Sequence, residues 1–163
     1  MIFEKEYSVV KLRKMDLLNL MRVCKILYLC GKDMAQKYNL QHWNNSYLKN
    51  WIIVIICTLK NDIYLVKKED VSIATFQLKK NGENLYFQKL ATVPQYMRGG
   101  VGGFCLKEME KIAKKLGCKY ITCEVYDKSQ HAINFYKNNG YVVCGNLKTL
   151  KYSELEMRKS LER

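Results

Sequence analysis

The stretch Met97-Arg98-Gly99-Gly100-Val101-Gly102-Gly103 decides how this chain folds. The segment before it, Leu85–Val93, favours a strand, and Pro94 ends the pairing of that strand because proline lacks an N–H. The segment after it repeats apolar residues at helical spacing and stops at a glycine. The apolar residues are Leu106, Met109, Ile112, Ala113 and Leu116, and the glycine is Gly117. The sequence therefore predicts a strand, a glycine-rich loop and a long amphipathic helix in succession.

Glycines in a loop of this kind suit an anion. They have no Cβ, so they reach positive φ and let a ligand approach the backbone closely. Consecutive N–H groups can then point at one anion, and the following helix adds its own free N–H groups and positive dipole end. We expect a phosphate or pyrophosphate on Arg98–Gly103. A dinucleotide G-x-G-x-x-G fits badly because Cys105 replaces its last glycine, and the P-loop sequence Gly-Lys-Ser/Thr is absent.

The segments toward the N terminus alternate between strand and helix signals. Tyr7–Leu12 reads as a strand, and Asp16 can cap a helix that extends to about Leu40. Residues 47–59 are ambiguous, because their isoleucines favour a strand while Ser46 and the apolar spacing favour a helix. We predict a helix there. Short turns then predict an antiparallel meander of three strands. These strands are Ile63–Lys67, Val71–Lys79 and Leu85–Val93.

The C-terminal third continues the alternation. It contains a strand at Cys118–Val125, a short helix at Ser129–Asn138 and two further strands at Tyr141–Cys144 and Leu155–Lys159. No repeat, low-complexity tract or linker interrupts the 163 residues, a length typical of one domain. We predict a single α+β domain over residues 1–163. Its sheet should be mixed, mostly antiparallel and six- to seven-stranded, flanked by about four helices.

The formal charge of +13 is typical of proteins that bind nucleic acid. Of the 28 basic residues, however, 23 are lysines, and they are spread from Lys5 to Lys159 instead of forming a block. We therefore predict solvated surface lysines and no nucleic-acid partner. A weaker interpretation is that the positive field attracts a small polyanion, such as a cofactor with several phosphates.

Several features predict a cytoplasmic protein. Charged residues follow Met1 where a signal sequence would be apolar, and the run Trp51–Cys57 is far shorter than the ~20 residues of a membrane-spanning helix. The seven cysteines are an odd number, form no C-x-x-C pair and mostly lie in apolar segments. The two histidines are far apart. We expect no membrane segment, no disulfide scaffold and no metal.

Three segments together resemble the GNAT family of N-acetyltransferases, in the acyl-CoA N-acyltransferase superfamily. They are Leu90-Ala91-Thr92-Val93-Pro94, then Gly100-Val101-Gly102, then Ala132-Ile133-x-Phe135-Tyr136-x-x-x-Gly140-Tyr141. The family signature is Gln/Arg-x-x-Gly-x-Gly/Ala followed by Ala-x-x-Phe-Tyr-x-x-x-Gly-Phe/Tyr. The likeness is strong over residues 71–145. It implies the acyl-CoA N-acyltransferase fold and an enzyme that moves an acetyl group from acetyl-CoA directly to a primary amine.

The resemblance also implies roles for individual residues. The backbone of Thr92 and Val93 would pair with the pantetheine arm of acetyl-CoA. Ser129 stands where the family often has an Asn that contacts this arm, and Ala132 belongs to the same cofactor-binding segment. Tyr136 matches a tyrosine near the cofactor sulfur; a phenol, with a reference pKa near ~10, can give a proton to the departing thiolate. The pyrophosphate would lie on the amides of Arg98, Gly99, Gly100, Val101, Gly102 and Gly103.

The likeness has gaps. Met97 stands where the family has Gln or Arg, and the interior of the strand 85–93 contains no Asp or Glu that could act as a base. Glu124, His42, Tyr86 or bulk water could take the proton, and the sequence does not choose among them. A non-catalytic GNAT-like module that binds acyl-CoA is therefore the alternative. The acceptor, a small-molecule or peptide amine, and a homodimer are also left open.

Overall fold

The computed structural model describes residues 7–162, which form seven strands and four α-helices. In chain order these are β1 (Tyr7–Lys11), α1 (Leu17–Tyr38), α2 (Tyr47–Thr58), β2 (Asp62–Lys68), β3 (Val71–Asn81), β4 (Asn84–Thr92), α3 (Val101–Lys115), β5 (Tyr120–Tyr126), α4 (Gln130–Asn138), β6 (Val142–Lys148) and β7 (Ser153–Ser160). The strands form one sheet in the order β1-β2-β3-β4-β5-β7-β6. β4 and β5 pair in parallel, whereas the pairs β1–β2, β2–β3, β5–β7 and β6–β7 are antiparallel. The predicted mixed, mostly antiparallel sheet is therefore confirmed.

Two side-chain caps fix where the first helices begin. The Asp16 carboxylate accepts from the Asn19 N–H at 3.2 Å, and the Ser46 hydroxyl oxygen accepts from the Lys49 N–H at 3.2 Å. Each cap contributes about 1 kcal/mol to helix stability. The predicted helix over 47–59 is therefore confirmed as α2, and its isoleucines do not override the cap and the helical spacing.

Gly31 lies inside α1, where a glycine costs about 0.5–1 kcal/mol relative to alanine. A Cβ at this position would collide with the backbone carbonyl of Trp43. The glycine therefore lets the polar loop between α1 and α2 lie directly against the helix.

The fold consists of two compact units. Among the described residues, the first contains 7–78 together with Lys89–Cys105, and the second contains Lys79–Gln88 and 106–162. In the first unit, α1 and the strands β2 and β3 supply a core that includes Val23, Cys24, Leu65, Ile73 and Phe76. In the second, β4, α3, β5 and β7 supply a core that includes Leu85, Phe87, Met109, Ile121 and Met157.

β4 is irregular in the part that leads to the glycine-rich loop. Its ladder with β5 extends only from the pair Asn84–Tyr120 to the pair Tyr86–Thr122. Further along β4, Lys89 has a φ of +54°. A non-glycine residue at positive φ inside a strand is typical of a bulge, and bulges often lie beside active sites. Regular pairing with β5 therefore stops midway along β4.

Two details of the prediction were wrong. Leu116 was expected in the apolar stripe of α3, but the helix ends at Lys115, one residue earlier, and Leu116 is exposed. β6 extends to Lys148 instead of Cys144, as a largely exposed strand that pairs with β7. Such a strand lacks the apolar alternation by which strands are predicted. Within residues 7–162, none of the helices is both long and apolar enough to cross a membrane.

Candidate active site

The glycine-rich stretch combines a short loop with a helix N terminus. α3 begins at Val101, so Gly102 and Gly103 lie in its first turn and not in the loop. The Phe104 N–H donates to the Gly100 carbonyl at 2.9 Å, which is the first bond of the helix. The amides of residues 101–103 precede this bond and therefore have no acceptor within the helix. They form a set of donors at the positive end of the helix dipole.

The loop before α3 contains two residues in the left-handed region. Arg98 has a φ of +64° and Gly100 a φ of +82°. Apart from Gly100 and its two chain neighbours, no described residue has a heavy atom within 4 Å of the position that a Cβ on Gly100 would take. The backbone at Gly100 is thus open to close approach by another molecule.

Tyr7 holds this loop in place. Its hydroxyl donates to the Gly99 carbonyl at 3.3 Å, and its ring lies 5.2 Å from the Phe104 ring. Sequence reasoning missed this residue, because no local pattern connects β1 with a loop 92 residues further along the chain.

The end of β4 already uses its backbone donors. The Val93 N–H donates to the Ile73 carbonyl at 2.8 Å. Burial raises the pKa of Cys30 to about 12, and a hydrogen bond from the Thr92 backbone opposes this shift. The predicted backbone contacts of Thr92 and Val93 with a ligand must therefore use other atoms than these two N–H groups.

In the second unit, Tyr136 lies in a cluster of aromatic rings. Its ring centroid is 5.7 Å from that of Phe87, 5.2 Å from that of Phe135 and 5.7 Å from that of Tyr141. Tyr136 is half-buried, whereas Tyr141 is buried, and burial raises the pKa of Tyr141. The Tyr141 hydroxyl has no hydrogen-bond partner among the described residues. The Tyr136 ring is thus held by contacts with Phe87 on β4 and with Phe135 and Tyr141, its neighbours along the chain.

The start of α4 contains the other predicted residues of this unit. Ser129 occupies the N-cap position and is buried, but its hydroxyl does not cap the helix. The Ser129 carbonyl accepts from the Ile133 N–H at 3.0 Å. Ala132 is half-buried on the first turn. At the position where the family often has Asn, this chain thus has the shorter side chain of Ser129, at the start of a helix.

The three residues considered for the base have different surroundings. The Tyr86 hydroxyl donates to the Glu124 carboxylate at 3.3 Å in the second unit. Burial, and then the nearby Glu124 charge, raise the pKa of Tyr86, so this phenol keeps its proton at neutral pH. Glu124 is exposed. His42 lies in the first unit with its ring 6.1 Å from the Trp43 ring. Tyr86 is therefore a donor and not a base.

Comparison with known proteins identifies the family. Residues 24–141 match the sequence profile of the acetyltransferase (GNAT) family. The chain belongs to this family. Its fold is shared by solved GNAT structures, although the identities are low. The PaiA N-acetyltransferase of Thermoplasma acidophilum, in complex with coenzyme A, is 20% identical with a TM-score of 0.74, covering 96% of this chain and 99% of that one.

Two further relatives are named for their acceptors. The ribosomal-protein-S18-alanine N-acetyltransferase of Escherichia coli is 13% identical with a TM-score of 0.69, covering 96% of this chain and 95% of that one. The thialysine N-epsilon-acetyltransferase of Mus musculus is 32% identical over 56 residues. That match covers 34% of this chain and 33% of the mouse enzyme, so the chain spans about a third of this curated relative.

In this GNAT chain the predicted site residues fall into two groups. The first unit contains Thr92, Val93 and Arg98–Gly103, and the second contains Ser129, Ala132 and Tyr136. Among residues 7–162, no group of three or more His, Cys, Asp or Glu side chains is placed to hold a metal ion. Sequence reasoning predicted both groups from the family motifs, but it missed Tyr7 and Phe87, which contact their members.

Proposed function

We propose that this protein is an acetyl-CoA-dependent N-acetyltransferase that transfers the acetyl group directly to a primary amine. The observation that carries the proposal is the start of α3. Three successive amides, Val101–Gly103, lack acceptors within the helix, and the backbone at Gly100 is open. This arrangement fits a pyrophosphate, because a doubly charged group can accept from several converging N–H donors without meeting a Cβ. Membership in the GNAT family supports acetyl-CoA as the molecule that contains it.

The remaining cofactor contacts are proposed from the same motifs. The Val93 N–H donates to the Ile73 carbonyl, and the Val93 carbonyl accepts from the Tyr96 N–H at 2.9 Å. We therefore propose that Thr92 contacts the pantetheine arm through its carbonyl oxygen, and that Val93 does so only through the second lone pair of its carbonyl. Ser129 and Ala132, at the start of α4, would contact the same arm. The complex of the Thermoplasma relative with coenzyme A supports this cosubstrate.

Tyr136 is the proposed general acid. Its phenol would hold a proton and supply it to the sulfur of the departing thiolate, a role that contributes roughly 10²- to 10⁴-fold to the rates of enzymes in general. The contacts with Phe87, Phe135 and Tyr141 support this assignment because they restrict the ring. No base is assigned: Tyr86 keeps its proton, and Glu124, His42 and bulk water are the remaining alternatives.

We also propose that the chain works as one catalytic domain in the cytoplasm. The family match spans residues 24–141 and so includes parts of both units. All seven cysteines are free and five of them are buried, which supports a reducing compartment. Cell fractionation of the full chain tests the location, and recovery in a secreted or membrane fraction would contradict it.

A homodimer is proposed from the exposed face of α2. Leu48, Ile52 and Ile56 of α2 and the following Leu59 are each at least half exposed, and a cluster of exposed apolar side chains is typical of interaction sites. Size-exclusion chromatography with light scattering is expected to give twice the chain mass. A monomer at micromolar concentration would exclude the dimer.

Calorimetric titration with acetyl-CoA, followed by a panel of amines, tests the proposed activity. Small-molecule and peptide amines both belong in the panel, since the relatives are named for each. Binding with release of coenzyme A in the presence of an amine is expected. Binding without transfer to any amine would favour the non-catalytic acyl-CoA-binding alternative. No heat and no shift in melting temperature at millimolar acetyl-CoA would overturn both.

A further inference from the structure

The second unit contains a pocket of about 340 Å³ that the proposed cofactor contacts do not use. It lies between the end of β5 and the hairpin that joins β6 to β7, and Tyr126, Lys128, Lys148, Lys151 and Tyr152 line it. Its volume falls within the range of small-molecule sites, roughly 300–1,000 Å³. The pocket is therefore large enough for part of a substrate.

The charge of this pocket is positive. Three lysines line it, and Asp127 is the single acidic residue among the lining side chains. Within the described part of the chain, none of these three lysines forms an ion pair. Ammonium groups that line one concave surface without forming ion pairs attract an anion. The lysines of the chain looked dispersed in the sequence, but the fold brings Lys128, Lys148 and Lys151 to one surface.

The walls of the pocket are ordered by local hydrogen bonds. The Thr149 N–H donates to the Tyr152 carbonyl at 2.8 Å, and the Tyr152 N–H donates to the Thr149 hydroxyl at 3.0 Å. The Asp127 N–H donates to the Ser153 carbonyl at 3.0 Å, which joins the end of β5 to the hairpin. The Tyr126 and Tyr152 rings meet edge to face at 5.4 Å. The lysines thus extend from a fixed backbone.

We infer that this pocket binds the carboxylate part of the amine acceptor, an inference that rests on the proposed acetyltransferase function. Lys128 is followed directly by Ser129 and α4, which carries Tyr136. At a rise of ~1.5 Å per residue, Tyr136 lies roughly 10 Å along the helix from Ser129. The acceptor is therefore a peptide-like molecule in which several bonds separate the amine from its carboxylates.

The tripeptides Ala-Glu-Glu and Ala-Gln-Gln test this inference, because they share an N-terminal amine and differ only in side-chain charge. Backbone amide NMR shifts of the full chain are followed at Lys148–Ser153 during titration. The acidic peptide is expected to shift these amides and to bind about tenfold more tightly, because its two carboxylates form ion pairs with the lysines that the amide side chains of Ala-Gln-Gln cannot form. Equal shifts with both peptides, or none with Ala-Glu-Glu at 10 mM, would overturn the inference.

Paired variants separate the pocket from general charge. Lys148→Gln with Lys151→Gln is expected to abolish the preference for Ala-Glu-Glu. The control, Lys107→Gln with Lys115→Gln, removes the same charge from the exposed surface of α3 and is expected to retain the preference. If both pairs of variants lost the preference for Ala-Glu-Glu, the preference would come from the general positive charge of the protein, and the inference about the pocket would be overturned.

Acetyl-CoA titrations distinguish this inference from the proposed function. If acetyl-CoA binds but neither peptide is preferred, the function stands and the pocket is wrong. If Ala-Glu-Glu binds at the pocket but acetyl-CoA does not bind at all, the pocket is an anion site and the proposed acetyltransferase function is wrong. If acetyl-CoA alone shifts the Lys148–Ser153 amides as the acidic peptide does, the pocket belongs to the cofactor and the assignment to the acceptor is overturned.

Discussion

The glycine-rich loop and the Tyr136 cluster are built in opposite ways. The loop and the first turn of α3 use the backbone of consecutive residues, 98–104. The Tyr136 cluster uses side chains, and Phe87 comes from β4, far away in the sequence. A backbone site is set by local conformation, so its chemistry can be predicted from a short stretch. A side-chain site depends on which strands pair, so its chemistry requires the fold or a family resemblance.

The largest expected effect is on turnover and concerns the side-chain site. Tyr136→Phe removes the proposed proton donor but keeps the ring that contacts Phe87. We expect kcat to fall about 100-fold, the lower end of the usual contribution of a general acid, with the Kd for acetyl-CoA nearly unchanged. Single-turnover kinetics and calorimetry measure the two quantities. Intact turnover would show that Tyr136 is only a packing residue.

The backbone site is expected to show the reverse pattern. Gly100→Val places a branched side chain at a φ of +82° and in the open space beside the loop. Acetyl-CoA affinity is expected to fall about 30-fold, comparable to the loss of one hydrogen bond to a charged group at ~1.5–3 kcal/mol. Gly100→Asn is the matched control for backbone strain, because asparagine tolerates the left-handed region. If the valine variant bound acetyl-CoA with wild-type affinity, the loop would not be part of the cofactor site.

The same contrast explains how much of the fold the sequence predicts. Asp16 and Ser46 act within their own helix turns, so both helix starts were predicted correctly. The extent of β6 was not, because this strand is held by pairing with β7 and has no buried face of its own. Leu116 fits the apolar spacing of α3, but the helix ends before it.

The candidate site follows the same rule. The glycines predict an anion on the first amides of α3, and this stays a prediction; the structure shows only that these amides precede the first helical bond and that the space at Gly100 is open. The pairing of Tyr86 with Glu124 was not predicted, because it depends on the short parallel ladder between β4 and β5. The sequence allowed Tyr86 as a base, but its burial and its contact with Glu124 make it a hydrogen-bond donor. Long-range ladders therefore supply information about the site that no local pattern contains.

Tyr141 belongs to the same aromatic cluster as Tyr136, but its substitution is expected to raise stability and not to lower turnover. Tyr141→Phe removes the same atom as Tyr136→Phe, but from a buried hydroxyl that has no partner among the described residues. We expect the free energy of unfolding to rise by about 1 kcal/mol, because an unsatisfied buried hydroxyl costs ~1–3 kcal/mol. Urea unfolding measures this. A loss of stability would indicate a hydrogen bond from the Tyr141 hydroxyl to ordered water.

The smallest expected effect is on pH dependence, and it too separates the two regions. The stretch 98–103 contains no group that titrates near neutrality, whereas α4 contains His131, whose pKa burial lowers from 6.5. Below pH 6.5 the unfolded chain takes up a proton at this residue more readily than the folded chain, so stability is lost as the pH falls. Well above pH 6.5 both states are neutral at His131 and the contribution is constant. Urea unfolding of the wild type and of His131→Gln at pH 7.5 and 5.5 is expected to show a smaller loss in the variant. An equal loss in both proteins would place the pH sensitivity elsewhere in the chain.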